Sequence, residues 1–287
     1  MNETIKKMRK FDPLIETVFD EMETPEVRIW SLEKYKLLGH YCHIFTNGMK
    51  NKWNQLVYID LFAGAGNVKI QENNKVYLSS PLIAMSLPIP FSKYILCEKN
   101  EKRFDALQKR INSNFSHLNY KLINGDSNCC INEIKKSIPR FNKNNTLLTF
   151  CFVDPFSLNL HFETIAKLGE INIDFLILQA LHMDGNRNVE NYLNINNQKI
   201  ELYLNKKDWR EFYKQEKSSN FVKFLADMYE SSMTKIGYKK GKNFHQIRSN
   251  LKNLPLFYLS FYSKHNTGIN FFKKIKNMAN QQFKLDL

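Results

Sequence analysis

Short apolar runs recur along this chain, each closed by a polar residue or a turn, and most lead into a stretch with helical spacing. Leu56–Leu61, Ser92–Cys97, Leu118–Ile123, Thr146–Val153 and Ile173–Gln179 read as strands. They are mostly apolar rather than alternating, the pattern of strands buried on both faces of a parallel sheet. Helices are expected between them at Leu82–Leu87, Glu101–Asn112, Cys129–Ile138 and Phe162–Leu168. Ser79-Ser80-Pro81 opens the first of these, with Pro near the first helical position. Ahead of the first strand, Ile29, Leu32, Leu37, Tyr41, Ile44 and Phe45 keep a helical period, with Ser31 or Thr24 to cap it. Four strand–helix units followed by a fifth strand predict a doubly wound, mostly parallel α/β sheet.

The rhythm lapses in three places. Residues 1–28, punctuated by Pro13 and Pro25, read as an N-terminal surface arm or short helices ahead of a single domain, 29–287. Asn67–Leu78 is a polar insertion after the first strand. Residues 181–218 are rich in Asn and read as an insertion of loops and short helices. Beyond it, Asn220–Ile236 is an amphipathic helix carrying Phe221, Phe224, Leu225 and Met228 on one face. Phe244–Arg248 and Leu256–Tyr262 then read as two closing strands around a turn with Asn253 and Pro255, and Thr267–Met278 as a last helix.

Composition narrows the class. With 287 residues and 43% hydrophobic content, a full core can form. No apolar run reaches the length of a membrane span, and Met1–Lys10 is polar and basic with no apolar segment after it, so a cytoplasmic protein is expected. The five cysteines, Cys42, Cys97, Cys129, Cys130 and Cys151, form no C-x-x-C pair and have no His cluster at zinc-site spacing. No metal site or disulfide framework follows from them, and Cys97 and Cys151 read as buried thiols. The net charge of +14 favours a polyanion such as nucleic acid, although a Lys- and Asn-rich composition also arises from AT-rich coding.

The candidate chemistry gathers at strand ends. The first strand is expected to deliver Asp60 and the loop Phe62-Ala63-Gly64-Ala65-Gly66 to a nucleotide-like cofactor, since glycine permits a tight turn and close approach to a ligand. Ligands of open α/β sheets bind outside the carboxyl ends of the strands. A dinucleotide fingerprint would need a third glycine where Lys69 stands. D-L-F-A-G-x-G instead resembles motif I of class I S-adenosylmethionine (SAM) methyltransferases, whose loop hugs the methionine end of the cofactor. Glu98, after the second strand, is the residue type that bonds a ribose diol. Asp126, after the third, suits an adenine amino group, with Ser127 beside it. Each acid also suits a solvated turn or helix cap.

Asp154-Pro155-Phe156 follows the fourth strand. It resembles the D/N-P-P-Y/F motif of amino-group methyltransferases, and more closely the D-P-F-G stretch of tRNA guanine-N2 methyltransferases, with Ser157 in place of Gly. The resemblance implies that Asp154 and the Pro155 carbonyl accept hydrogen bonds from a target amine while Phe156 stacks on the base. No Pro-Cys pair follows this strand, which argues against cytosine-C5 chemistry by a cysteine nucleophile.

Together these landmarks resemble the three-Cys-motif partner (TcmP) family. The matching stretches are Trp30–Tyr41 with Lys34, Tyr58–Gly66, Ser80–Ala84, Phe152–Phe156, Arg187-Asn188, Lys207–Trp209 and Leu254–His265. Ser79 and Ser157 depart from it where Gly is usual. The resemblance implies a Rossmann-like class I methyltransferase fold, a seven-stranded sheet closed by a C-terminal β-hairpin. It also implies SAM as cofactor and a companion protein with a three-cysteine motif. Arg187, Lys264 and His265 are candidates to contact a phosphate or base; each also reads as a surface residue or cap. Two functions are consistent with these features. One is methyl transfer to an exocyclic amine of a nucleobase in DNA or RNA. The other is a non-catalytic partner subunit that binds SAM or nucleic acid.

Overall fold

The computed structural model describes residues 11–216, 220–239, 244–248 and 255–283. The first ten residues of the expected arm, Lys217 and Ser218 of the expected insertion, and Asn253 and Leu254 near the closing turn lie outside them. In chain order the strands are β1 (Glu16–Thr17), β2 (Glu26–Val27), β3 (Gln55–Asp60), β4 (Asn67–Ile70), β5 (Val76–Leu78) and β6 (Lys93–Glu98). They continue as β7 (Tyr120–Asn124), β8 (Leu147–Val153), β9 (Ile173–Gln179), β10 (Phe244–Arg248) and β11 (Pro255–Tyr262). The large sheet has seven strands in the order β10-β11-β9-β8-β3-β6-β7. The β7–β6, β6–β3 and β3–β8 pairs are parallel, and β9–β11 and β11–β10 are antiparallel.

The continuous apolar runs became strands because every residue of β3, β6 and β8 beyond the first or second is buried. Helices Ser80–Met85, Glu101–Asn114, Ile131–Ser137 and Phe162–Gly169 fall where helical spacing placed them, within a few residues. Asn100 caps the second of these through its side chain, accepting from Arg103 N at 3.0 Å. Helix Ser31–Met49 departs from expectation at its start. Trp30 occupies its cap position, with no side-chain cap from Ser31 or Thr24.

The polar insertion is a hairpin. β4 and β5 pair antiparallel, and the arm supplies β1 and β2 as their outer neighbours, in the order β1-β5-β4-β2. The expected arm thus contributes Glu16–Thr17 and Glu26–Val27 to a second sheet.

Contacts divide the chain into two compact units, one running to Phe152 and resuming at Asn270, the other Val153–Ile269. In the first, Tyr41 meets Phe150 at 4.6 Å between ring centroids, and Tyr58 meets Phe91 at 5.4 Å. Such pairs add roughly 0.5–1.5 kcal/mol each beyond burial. Cys42, Cys97 and Cys151 are buried free thiols. In the second, helix Phe221–Lys235 packs Tyr229 on Tyr203 at 4.9 Å, and Trp209 on Phe221 at 5.9 Å. The expected insertion is a single π turn, Leu181–Gly185, a 3-10 turn, Asn186–Asn188, and helices Val189–Leu193, Lys199–Leu204 and Trp209–Gln215. Among the described residues no helix is long and apolar enough to cross a membrane.

Candidate functional site

Strand order reverses between β3 and β8, which lie in parallel register with Asp60 opposite Phe152. A reversal of this kind opens a crevice outside the carboxyl ends of the two strands. The loop Phe62–Gly66 leaves β3 at that end.

The loop is held from below. Asp60 is 0% exposed, so its carboxylate faces its own backbone rather than solvent. Tyr58 OH donates to Asp60 Oδ2 at 3.1 Å, and Phe62 N to Oδ1 at 3.2 Å. Ala63 N donates to the Cys97 carbonyl of β6 at 2.9 Å. Glu98, at the end of β6, accepts from Gly64 N at 2.8 Å through Oε2 and from Asn100 N at 2.7 Å through Oε1. Each carboxylate oxygen has a second lone pair, so these two bonds leave acceptor capacity for a ligand.

The two glycines have different reasons to be glycine. Both take left-handed backbone angles, φ +66° at Gly64 and +88° at Gly66. A Cβ on Gly66 would lie 2.9 Å from Leu82 Cδ1 and 3.0 Å from Leu107 Cδ1, so packing as well as backbone angle favours glycine there. A Cβ on Gly64 would meet nothing within 4 Å among the described residues. The backbone there borders open space.

Past β7, Asp126 pairs with Lys99 Nζ at 3.0 Å and accepts from Asn128 N at 2.9 Å. Ser127 beside it is buried and, among the described residues, its hydroxyl has no hydrogen-bond partner; the same holds for Ser79 Oγ. Ser79 N meanwhile donates to the Gly66 carbonyl at 2.7 Å. Unsatisfied buried hydroxyls are costly and call for an explanation, such as a ligand.

β8 ends at Val153, one residue beyond Phe152, whose carbonyl accepts from Leu61 N at 3.2 Å. Asp154, half-buried, comes next, then buried Pro155. The Phe156 ring is 96% exposed and takes no part in a core. The residues that follow are anchored within the second unit by Asp184, in the π turn after β9. Asp184 Oδ2 accepts from Leu158 N at 2.9 Å and pairs with Lys199 Nζ at 2.9 Å. Tyr192 OH and Asn188 Nδ2 donate to Oδ1. Lys199 Nζ also donates to Ser157 Oγ at 3.1 Å, so Ser157 has a partner of its own. Burial pushes the Asp184 carboxyl up, but the bonds from Leu158, Tyr192 and Lys199 outweigh it and hold the group below its ordinary range.

Arg187 is exposed in the 3-10 turn beyond the carboxyl end of β9. Lys264 and His265 lie at the other end of that strand. β11 runs antiparallel to β9 with Tyr262 opposite Phe175, which brings its last residues to the amino end of β9. There Lys264 Nζ donates to the Gly169 carbonyl, and His265 Nε2 is 3.2 Å from Asn172 Oδ1. Both side chains thus bond the turn that precedes β9, as the reading of them as caps expects.

Sequence patterns did not single out Asp184 or Arg110. Asp184 gives no sequence signal, because Leu158, Asn188, Tyr192 and Lys199 are scattered around it. Arg110 gives one. It is 3% exposed and shares the buried face of helix Glu101–Asn114 with Ala106, Leu107 and Ile111. A charge on an apolar stripe marks a buried partner.

The strand order, the glycine loop at the switch point and the closing antiparallel pair β11–β10 define the Rossmann-like class I methyltransferase fold. No family model matches the sequence, and no curated protein does. Among solved structures, a Legionella pneumophila protein aligns at TM-score 0.47 and 11% identity, over 85% of this chain and 92% of its own. The METTL16 MTase domain aligns at 0.44 and 11%, over 92% and 78%. M. jannaschii TYW2, in complex with AdoMet, aligns at 0.34 and 14%, over 78% and 77%.

Proposed function

We propose that this protein is a SAM-dependent methyltransferase acting on an exocyclic amine of a nucleobase. The observation that carries this reading is the loop at the switch point. Its Gly64 backbone borders open space and is fixed from beneath by Glu98. The fit to SAM is chemical. A ribose diol needs an acceptor that Glu98 retains. The partnerless hydroxyls of Ser79 and Ser127 can serve the cofactor's other polar groups. Phe62–Gly66, Glu98, Asp126 and Ser127 would hold it, while Asp60 shapes the loop.

When bound, SAM supplies an electrophilic methyl group on a sulfonium. This chain's residues have the remaining tasks. The Asp154 carboxylate and the Pro155 carbonyl accept hydrogen bonds from the amine, which orients its lone pair and favours transfer through proximity. The uncommitted Phe156 ring provides a stacking face for the base, and a base in a duplex would have to be flipped out to reach it. Arg187 suits a phosphate, in keeping with the net charge of +14. The TcmP resemblance adds a companion protein with a three-cysteine motif.

Nucleoside mass spectrometry of total DNA and RNA, with and without the gene, tests the reading. A methylated-amine nucleoside that disappears with the gene and is not restored by Asp154→Ala supports it. Unchanged nucleosides, with SAM still bound by the pure protein, would favour a non-catalytic subunit.

A further inference from the structure

Arg110 is one of the few charged side chains buried in the first unit, and all five of its N–H groups are used. Nε and Nη2 donate to the two carboxylate oxygens of Asp20, at 2.8 and 2.6 Å. Nη2 also donates to Thr24 Oγ1 at 2.9 Å, and Nη1 to the Glu23 carbonyl at 2.9 Å. The remaining bond, from Nη1, goes to the Ala65 carbonyl at 2.6 Å, inside the loop Phe62–Gly66. One guanidinium thus joins the glycine loop to the segment Asp20–Thr24.

That segment is itself fixed at both ends. It connects β1 to β2, the outer strands of the small sheet, whose inner strand β4 begins at Asn67, directly after the loop. Lys69 N donates to the Pro25 carbonyl at 3.0 Å, and Arg103 reaches Glu23 at 3.9 Å from the same helix as Arg110. Arginine suits this task because its planar fork meets a carboxylate with two parallel bonds and still has donors for carbonyls. A loop with two left-handed glycines gains freedom when released, and ordering it on binding costs affinity.

We infer that Arg110, braced by Asp20, is a positioning residue that holds the loop Phe62–Gly66 in the form that accepts the cofactor. The inference rests on the reading of this loop as the SAM site. It assigns the small sheet and the segment Val18–Pro25 a purpose: they form the fixed side against which the loop is held.

The test compares wild type, Arg110→Gln and Asp20→Ala by amide hydrogen exchange and by SAM titration. Exchange at Phe62, Ala63 and Gly64, whose N–H groups are all bonded, should rise at least ten-fold in Arg110→Gln, with β3 as protected as before. SAM affinity should fall at least ten-fold. Asp20 is partly exposed, so Asp20→Ala should fold, with the same changes at a few-fold size. It decides the matter if Arg110→Gln does not fold. Unchanged loop exchange in a folded variant overturns the inference. So does a looser loop that binds SAM with wild-type affinity, which would make the clamp merely structural. Wild type that binds no SAM sinks the cofactor reading and the positioning role with it, whatever the loop does.

Discussion

The glycine pair offers the sharpest perturbation, because one substitution type should have two different effects two residues apart. Gly66→Ala adds a Cβ at φ +88°, 2.9 Å from Leu82 Cδ1 and 3.0 Å from Leu107 Cδ1. The left-handed backbone costs about 1–2 kcal/mol for a residue with a Cβ. Crowding costs about 1–3 kcal/mol in general, and near the lower limit here because both neighbours are ends of flexible side chains. The sum is about 2–3 kcal/mol, a substantial share of the roughly 5–15 kcal/mol that holds a domain folded. Gly64→Ala, at φ +66°, meets no atom within 4 Å. It should cost only the backbone term, about 1–2 kcal/mol. Urea unfolding followed by tryptophan fluorescence should therefore rank wild type above Gly64→Ala and Gly64→Ala above Gly66→Ala. SAM titration at low temperature, with both variants folded, should place its larger loss at Gly64→Ala, whose methyl enters the open space. Equal stability losses would refute the packing argument. Undiminished SAM affinity in Gly64→Ala would refute the claim that the space beside it belongs to the cofactor.

Removing the Asp154 carboxylate, in Asp154→Ala, should leave SAM affinity within a few-fold and lower single-turnover methyl transfer roughly 100-fold or more. Loss of SAM binding instead would move this residue into the cofactor site. Phe156→Ala should change stability by no more than about 0.5 kcal/mol, since the ring is 96% exposed. In a nucleic-acid binding assay it should lose about 1–3 kcal/mol, the worth of one stacked base, and no loss would remove the ring from substrate contact. Asp184→Asn should destabilise the fold by about 1–3 kcal/mol at neutral pH, where the carboxylate accepts from Leu158 N and pairs with Lys199. The folded carboxyl titrates below its ordinary 3.8, so its contribution is present above that value and lost as pH falls through the folded one. The gap between wild type and Asp184→Asn in urea midpoint should shrink accordingly between pH 5 and strong acid, and a constant gap would contradict the assignment.

What could be read in the sequence follows the range of the forces involved. β3, β6, β8 and β9 were legible because burial on both faces leaves a continuous apolar run. β1 and β2 were not, because two residues are too few to show a period. β4 and β5 are only four and three residues long, and the polar turn Gln71–Lys75 between them disguised the pair. At the site, the glycine loop was legible because its backbone angles restrict which residues can stand there. Glu98 was recognised as a strand-end acid, yet its bond to Gly64 N depends on two strands lying side by side, which spacing along the chain cannot reveal. Lys264 and His265 carry the right chemistry but occupy the amino end of β9, because an antiparallel closing strand reverses the direction in which the chain presents them.

Titration calorimetry of SAM into wild type and Glu98→Ala tests the central claim most directly. Glu98 is 9% exposed and is bonded to the loop at Gly64 N. Its removal takes away both that brace and the proposed acceptor for the ribose. Wild type should bind one SAM per chain, and Glu98→Ala should bind roughly 5- to 150-fold more weakly, a loss of about 1–3 kcal/mol. Wild type without saturable binding, or a folded Glu98→Ala with equal affinity, would contradict the assignment of this loop as a SAM site.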